Sequence, residues 1–119
     1  MNIEGTIVGD TTALFLAAHG GWNDIVRLLL ESSADADKED SSGATSLYIA
    51  SQNGHLKVVK CLVEVWKAEV DKERNIGATP LFMASQYGKL EVVEWLVEEG
   101  KANKDGWTSL MALRLKRDF

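Results

Sequence analysis

Apolar residues recur along the chain at helical spacing, in short bursts rather than one long run. In the stretch Gly43 to Val63, GATSLYIASQNGHLKVVKCLV, Leu47 and Ala50 are three apart and share a helix face. Leu56, Val59 and Val63 then make a second stripe at steps of three and four. The pattern returns at Gly77 to Val97, GATPLFMASQYGKLEVVEWLV, with Leu81 and Ala84 and then Leu90, Val93 and Val97. Of the 21 aligned positions 13 are identical, at a constant offset of 34 residues. A fixed period in the thirties marks a repeat architecture.

The polar and special residues punctuate each copy. Thr45 and Thr79 stand where a short helix begins, as side-chain caps for orphan backbone N–H groups. Pro80, the only proline, falls at the first helical position, where a missing N–H costs nothing. Gly54 and Gly88 stop the first helix before the second stripe begins. Each copy is thus predicted to be helix–turn–helix. Neither helix can bury its stripe alone, so the copies must stack.

The run Gly77-Ala-Thr-Pro-Leu-Phe-Met-Ala-Ser, followed by Gly88-Lys-Leu-Glu-Val-Val-Glu-Trp-Leu-Val, resembles the ankyrin repeat, and Ala34-Asp35-Ala36-Asp37 is similar to the segment that follows the second helix in that family. The resemblance covers roughly Asp10 to the C-terminus. It implies an all-α solenoid of helix–turn–helix repeats joined by hairpin loops, with about three full repeats and a partial fourth. The repeats are expected at about 10–39, 40–73, 74–104 and 105–119, in a single domain with an N-terminal arm at 1–9. Met1 to Asp10 shows no period and reads as an extended arm or part of an incomplete hairpin.

Two irregularities stand out. After Val63, repeat two carries one residue more than repeat one, with Trp66 in or beside the insertion. Gly100 is expected to take the slot after the last second helix that Ser33 takes in repeat one. Counted that way the third hairpin is about four residues short, because Gly100 to Gly106 is six residues and Ser33 to Gly43 is ten. The final helix, Leu110 to about Arg117, mixes apolar and basic residues and is expected to cap repeat three, with a truncated repeat of a longer array as the alternative.

Composition narrows the function. The chain has 119 residues, 45% of them hydrophobic, and a net charge of −5. A phosphate backbone must be neutralised by clustered Lys and Arg, so this balance argues against nucleic acid. A single cysteine, Cys61, makes no internal disulfide and fits a reducing compartment. No run approaches the roughly 20 apolar residues of a membrane span. The expectation is a soluble, intracellular, cytoplasmic protein that is monomeric, with end-to-end association as the alternative.

Candidate chemistry is sparse. Asp35-Ala-Asp-Lys-Glu-Asp40 alternates acids as a calcium loop does, but Asp40 stands where such a loop needs Gly and Ser46 where it needs Glu. A solvated hairpin is the better reading, and no metal or cofactor is expected. His55 reads as structural and His19 as exposed; neither has a motif-linked nucleophile, so no catalytic residue is expected. Cys61 reads as a small packing residue. Trp22, Trp66 and Trp95 read as packing or rim residues. The first-helix histidine of the family is replaced by Phe15, Tyr48, Phe82 and Met111, so apolar packing between repeats is expected where the family has a His–Thr network, with a partly exposed aromatic strip as the alternative.

The function expected is a non-enzymatic protein–protein interaction module that binds a partner protein through the concave groove. The resemblance places Tyr87 and Trp107 there as aromatic anchors, with Ser41, Ser42, Asn53, Asn75, Ile76 and Gln86 around them. The competing readings are a fragment of a larger multidomain protein and an engineered or self-associating scaffold without a natural ligand.

Overall fold

A computed structural model of the chain describes residues 6–8, 11–71, 73, 78–100 and 102. Among these, an antiparallel strand pair, β1 (Thr6–Val8) and β2 (Thr11–Thr12), leads into helix α1 (Ala13–Gly20) and then α2 (Asn23–Glu31). Repeat two contributes α3 (Ser46–Asn53) and α4 (Leu56–Lys60), which runs on as a π-helical turn, Cys61–Val65. Repeat three contributes α5 (Pro80–Gln86) and α6 (Leu90–Glu98). The three pairs form an all-α solenoid, with α1, α3 and α5 packed side by side in one layer and α2, α4 and α6 in the other.

Each first helix starts on the same device. The hydroxyls of Thr12, Thr45 and Thr79 accept from the backbone N–H of Phe15, Tyr48 and Phe82 at 3.1, 3.2 and 3.1 Å. Pro80 occupies the first turn of α5, where its missing N–H leaves nothing unpaired. The first two helices end on Gly21 and Gly54, both with φ 76°. A side chain is excluded there twice over. The left-handed backbone disfavours it, and the next repeat closes in: a Cβ on Gly21 would lie 2.6 Å from His55 Nδ1, and one on Gly54 2.8 Å from Lys89 Cδ.

The core lies between the layers and is continuous across repeats. Leu14, Leu47 and Leu81 from the first helices and Leu62 and Leu96 from the second are among the most completely buried side chains. They join Val26, Val58, Val59 and Val92 in one cluster. Each such side chain is worth about 1.5–3 kcal/mol relative to exposure. A smaller cluster gathers Ala44, Tyr48, Ala78 and Met83, with Phe15 and Phe82 packed against it. The aromatic residues in the histidine slot thus make the apolar contact between repeats that their chemistry predicts; Met111 lies outside the described residues.

The extra residue of repeat two has a definite place. In the π-turn Trp66 N–H reaches back five residues to Cys61 O at 3.3 Å, and Gly100 N–H does the same to Trp95 O at 2.8 Å. Such i→i+5 bonds define a single π-type turn. Ala68 and Ala102 then donate to Leu62 and Leu96, six residues back, at 2.9 and 2.7 Å, whereas Ala34 donates to Leu29, five back, at 3.0 Å. Trp66 and Gly100 are therefore counterparts, and so are Ala34, Ala68 and Ala102. This corrects the slot expected for Gly100: the left-handed residues ahead of the alanines are Ser33 (φ 81°) and Lys67 (φ 56°). Counted from the alanines, the first two hairpins span nine residues to Gly43 and Gly77 and the third spans four to Gly106, so the shortfall is five. The third hairpin itself and the expected C-terminal cap lie outside the described residues.

Two stability predictions follow from packing. Leu81→Ala removes a fully buried side chain and should lower the free energy of unfolding by about 2–5 kcal/mol in urea titrations; a loss under about 0.5 kcal/mol would mean that the site is exposed. Ser85 and Ser51 occupy the same buried slot in α5 and α3. Ser85 Oγ donates to Leu81 O at 2.8 Å, whereas Ser51 Oγ is buried and meets no partner in the chain. Repeat one has Ala18 in that slot, fully buried. Ser51→Ala should therefore be neutral or stabilising, while Ser85→Ala should cost about 0.5–1.5 kcal/mol. Equal losses in the two variants would refute this distinction.

Candidate functional site

Because the first helices share one cap at the start and one glycine turn at the end, their C-terminal ends fall into a row. That row carries His19 and Gly20 on α1, Gln52 and Asn53 on α3, and Gln86 with Tyr87 at the end of α5. The first two members are knit together. Asn53 Nδ2 donates to the His19 carbonyl at 3.0 Å, and His55 Nε2 donates to the same oxygen at 2.9 Å. A carbonyl only accepts, so the Nε2–H form of the imidazole is the one that fits. Asn53 is thus half-buried and part of the repeat junction as well as a candidate contact. His55 has the structural role its position suggested, and the His19 side chain is exposed.

The third member of the row is more open. Gln86 is exposed, and Tyr87 is 49% exposed, although its backbone N–H closes α5 on Met83 O at 3.0 Å. A tyrosine held by its backbone, with its ring half in water, can offer a large amphipathic contact at little conformational cost. Tyr48, one repeat earlier in the histidine slot, is instead buried. The two tyrosines differ because one lies between repeats and the other at a helix end.

Ser41 and Ser42 sit at the hairpin tip between repeats one and two. The tip is organised by Asp40, whose Oδ1 accepts from Ser42 N at 2.8 Å, Ser42 Oγ at 2.6 Å and Ala44 N at 3.0 Å. Asp35 Oδ1 accepts from Asp37 N, and Asp37 Oδ1 from Glu69 N of the following hairpin, both at 2.9 Å. The acidic run therefore serves its own turns and ties two hairpins together. Among the described residues no group of three or more His, Cys, Asp or Glu side chains is placed to hold a metal ion. Asn75, Ile76 and Trp107 lie outside the described residues.

Cys61 is buried on the far layer. Burial pushes its thiol above its ordinary value, against the pull of Arg27 and the nearby Trp66 indole, with Glu31 adding to the rise. A neutral packing thiol is the result. Trp66 and Trp95 are half-buried against the core, but Trp22 is 62% exposed. Ile25 and Leu28 on the same helix are also exposed. Sequence reasoning passed over this patch, although a first repeat with apolar residues on both sides of its second helix was the available signal.

A profile of ankyrin repeats in three copies matches residues 2–74 and 67–113, nearly the whole chain. The chain belongs to the ankyrin repeat family. Ankyrin repeats are generally protein–protein interaction modules. Similar proteins include potassium channel AKT3 of Oryza sativa subsp. japonica, 47% identical over 55 residues, which are 45% of this chain and 6% of the channel. Dynein axonemal heavy chain 12 of Bos taurus is 41% identical over 54% of this chain and 18% of that protein. Ankyrin repeat and SOCS box protein 14 of Homo sapiens is 40% identical over 50% of this chain and 10% of that protein. The chain thus matches only a small part of each. No helix among the described residues is long and apolar enough to cross a membrane.

The thiol gives this ankyrin chain a testable pH dependence. A folded-state pKa raised above the unfolded value means that the unfolded chain releases the proton first as pH rises. Stability from this group is complete below the unfolded pKa, about 8.5, and is lost above it. Urea midpoints measured from pH 8 upward should fall more steeply for the parent than for Cys61→Ala; parallel profiles would show that the thiol is not desolvated.

Proposed function

We propose that this ankyrin chain is a non-enzymatic module that docks a partner protein along the row of first-helix ends and the hairpins beside it. The reading rests most on Tyr87, a half-exposed aromatic ring at the end of α5 whose backbone is fixed by the fold. Interface energy concentrates on a few such anchors, with tyrosine among the commonest. Gln86 flanks it, Asn53 lies further along the row, and Ser41 and Ser42 line the hairpin tip. Trp107, as a second anchor, and Asn75 and Ile76 join the proposal on their sequence slots. Neither histidine has a motif-linked nucleophile in the sequence to suggest an enzyme, and the acidic net charge disfavours nucleic acid.

The test is affinity capture with quantitative mass spectrometry, comparing the parent with Tyr87→Ala and with Glu94→Ala on the opposite layer. Tyr87→Ala should reduce capture of the principal partner at least roughly tenfold, as expected for an anchor worth more than about 1.4 kcal/mol. Glu94→Ala should leave it unchanged. Undiminished capture by Tyr87→Ala would remove the groove reading. A second reading, that these repeats act as part of a longer protein, is favoured by the small share of each relative that the chain covers.

A further inference from the structure

Repeats two and three show what a repeat does with the face that looks back toward its predecessor. His55 lies over Gly21, and Lys89, one repeat on, lies over Gly54. Val58 and Cys61 are at most 6% exposed, and Val92, the counterpart of Val58, is 1% exposed. On the first-helix layer Ile49 and Met83 are 8% and 7% exposed. The same positions in repeat one are Trp22, Ile25, Leu28 and Leu16. They are exposed at 62%, 50%, 61% and 44%, and the Trp22 indole rests over Gly20 of its own repeat. A terminal repeat that ends a solenoid presents a polar outer face. This one exposes Ile25 and Leu16 at slots that both successors bury, Leu28 at a slot that is buried in Cys61 and half-buried in Trp95, and Trp22 at a slot half-buried in both; exposed apolar surface of that kind marks an interaction site.

We propose that this face of repeat one is a stacking surface for another helix–turn–helix repeat, supplied ahead of repeat one in the same polypeptide. The occupant is specified by the α2–α4 and α4–α6 junctions, which the surface continues. It must bring a left-handed glycine turn for Trp22 to cover, as His55 covers Gly21, and a short second helix for Ile25 and Leu28 to pack against. The similar proteins are longer polypeptides, of which this chain covers 6–18%. The inference goes beyond the groove reading and does not depend on it.

The test supplies the occupant. Residues 44–77, one complete repeat unit of this chain, are placed directly ahead of Thr11, and the extended chain is compared with the 119-residue parent. The extended chain should gain helical circular dichroism and unfold at a higher urea concentration. Leu28→Asp should barely move the midpoint of the parent, where the side chain meets water, and should cancel the gain in the extended chain, where it would occupy the buried slot of Cys61. An added repeat that brings no helical signal or no rise in midpoint would overturn the proposal, as would a Leu28→Asp effect of equal size in both chains. Sedimentation should show the parent as monomer at all concentrations. Concentration-dependent association that Leu28→Asp abolishes would assign the face to a second copy and overturn the proposed occupant.

Discussion

A helix of seven to nine residues does not survive alone in water: its nucleation cost exceeds what so few backbone hydrogen bonds return. Every described α-helix of this chain is that short or shorter. Their stability therefore comes from burial between layers and between repeats. Leu47, Leu62, Leu81 and Leu96 are almost wholly inaccessible to water, though no single repeat encloses any of them. The local devices, from threonine caps to glycine turns, follow from this dependence because they hold each short helix in the one register in which its neighbour can cover it.

That requirement explains which sequence irregularities the fold absorbs. An extra residue after the second helix is taken up in a π-turn, and Ala68 and Ala102 still return to the same leucine slot that Ala34 reaches with one residue fewer. The packing position is kept and the backbone path gives way. The histidine slot follows the same logic. With aromatic residues there, a polar link between repeats is replaced by a second apolar cluster around Tyr48. The hairpins keep polar links of their own, such as Asp37 to the Glu69 backbone.

The division between framework and free positions carries the functional reading. Threonine, glycine, leucine and alanine slots are occupied in holding the stack. What remains for recognition is the row of helix ends and the hairpin tips. Within that row the groups are unequal. Asn53 is engaged with its neighbour's carbonyl, whereas the ring of Tyr87 faces water. The open face of repeat one is a different kind of surface, made of framework slots whose apolar side chains meet water.

The sequence by itself determined the repeat, its period, its two helices, the caps and the identity of the core, because these are properties of local spacing repeated in register. Thr45 and Thr79 announced helix starts, and the leucine stripes announced the buried layer, before any contact was known. Tertiary structure alone decided the rest. Spacing assigned Gly100 to Ser33's slot, but hydrogen bonds across the turn make Gly100 the counterpart of Trp66 and Ala102 that of Ala34. Asn53 looked like a free contact and is tied to repeat one. Leu28 and Cys61 share a slot and differ in exposure, because burial in a solenoid depends on whether a neighbouring repeat is present, which no residue's own sequence position records.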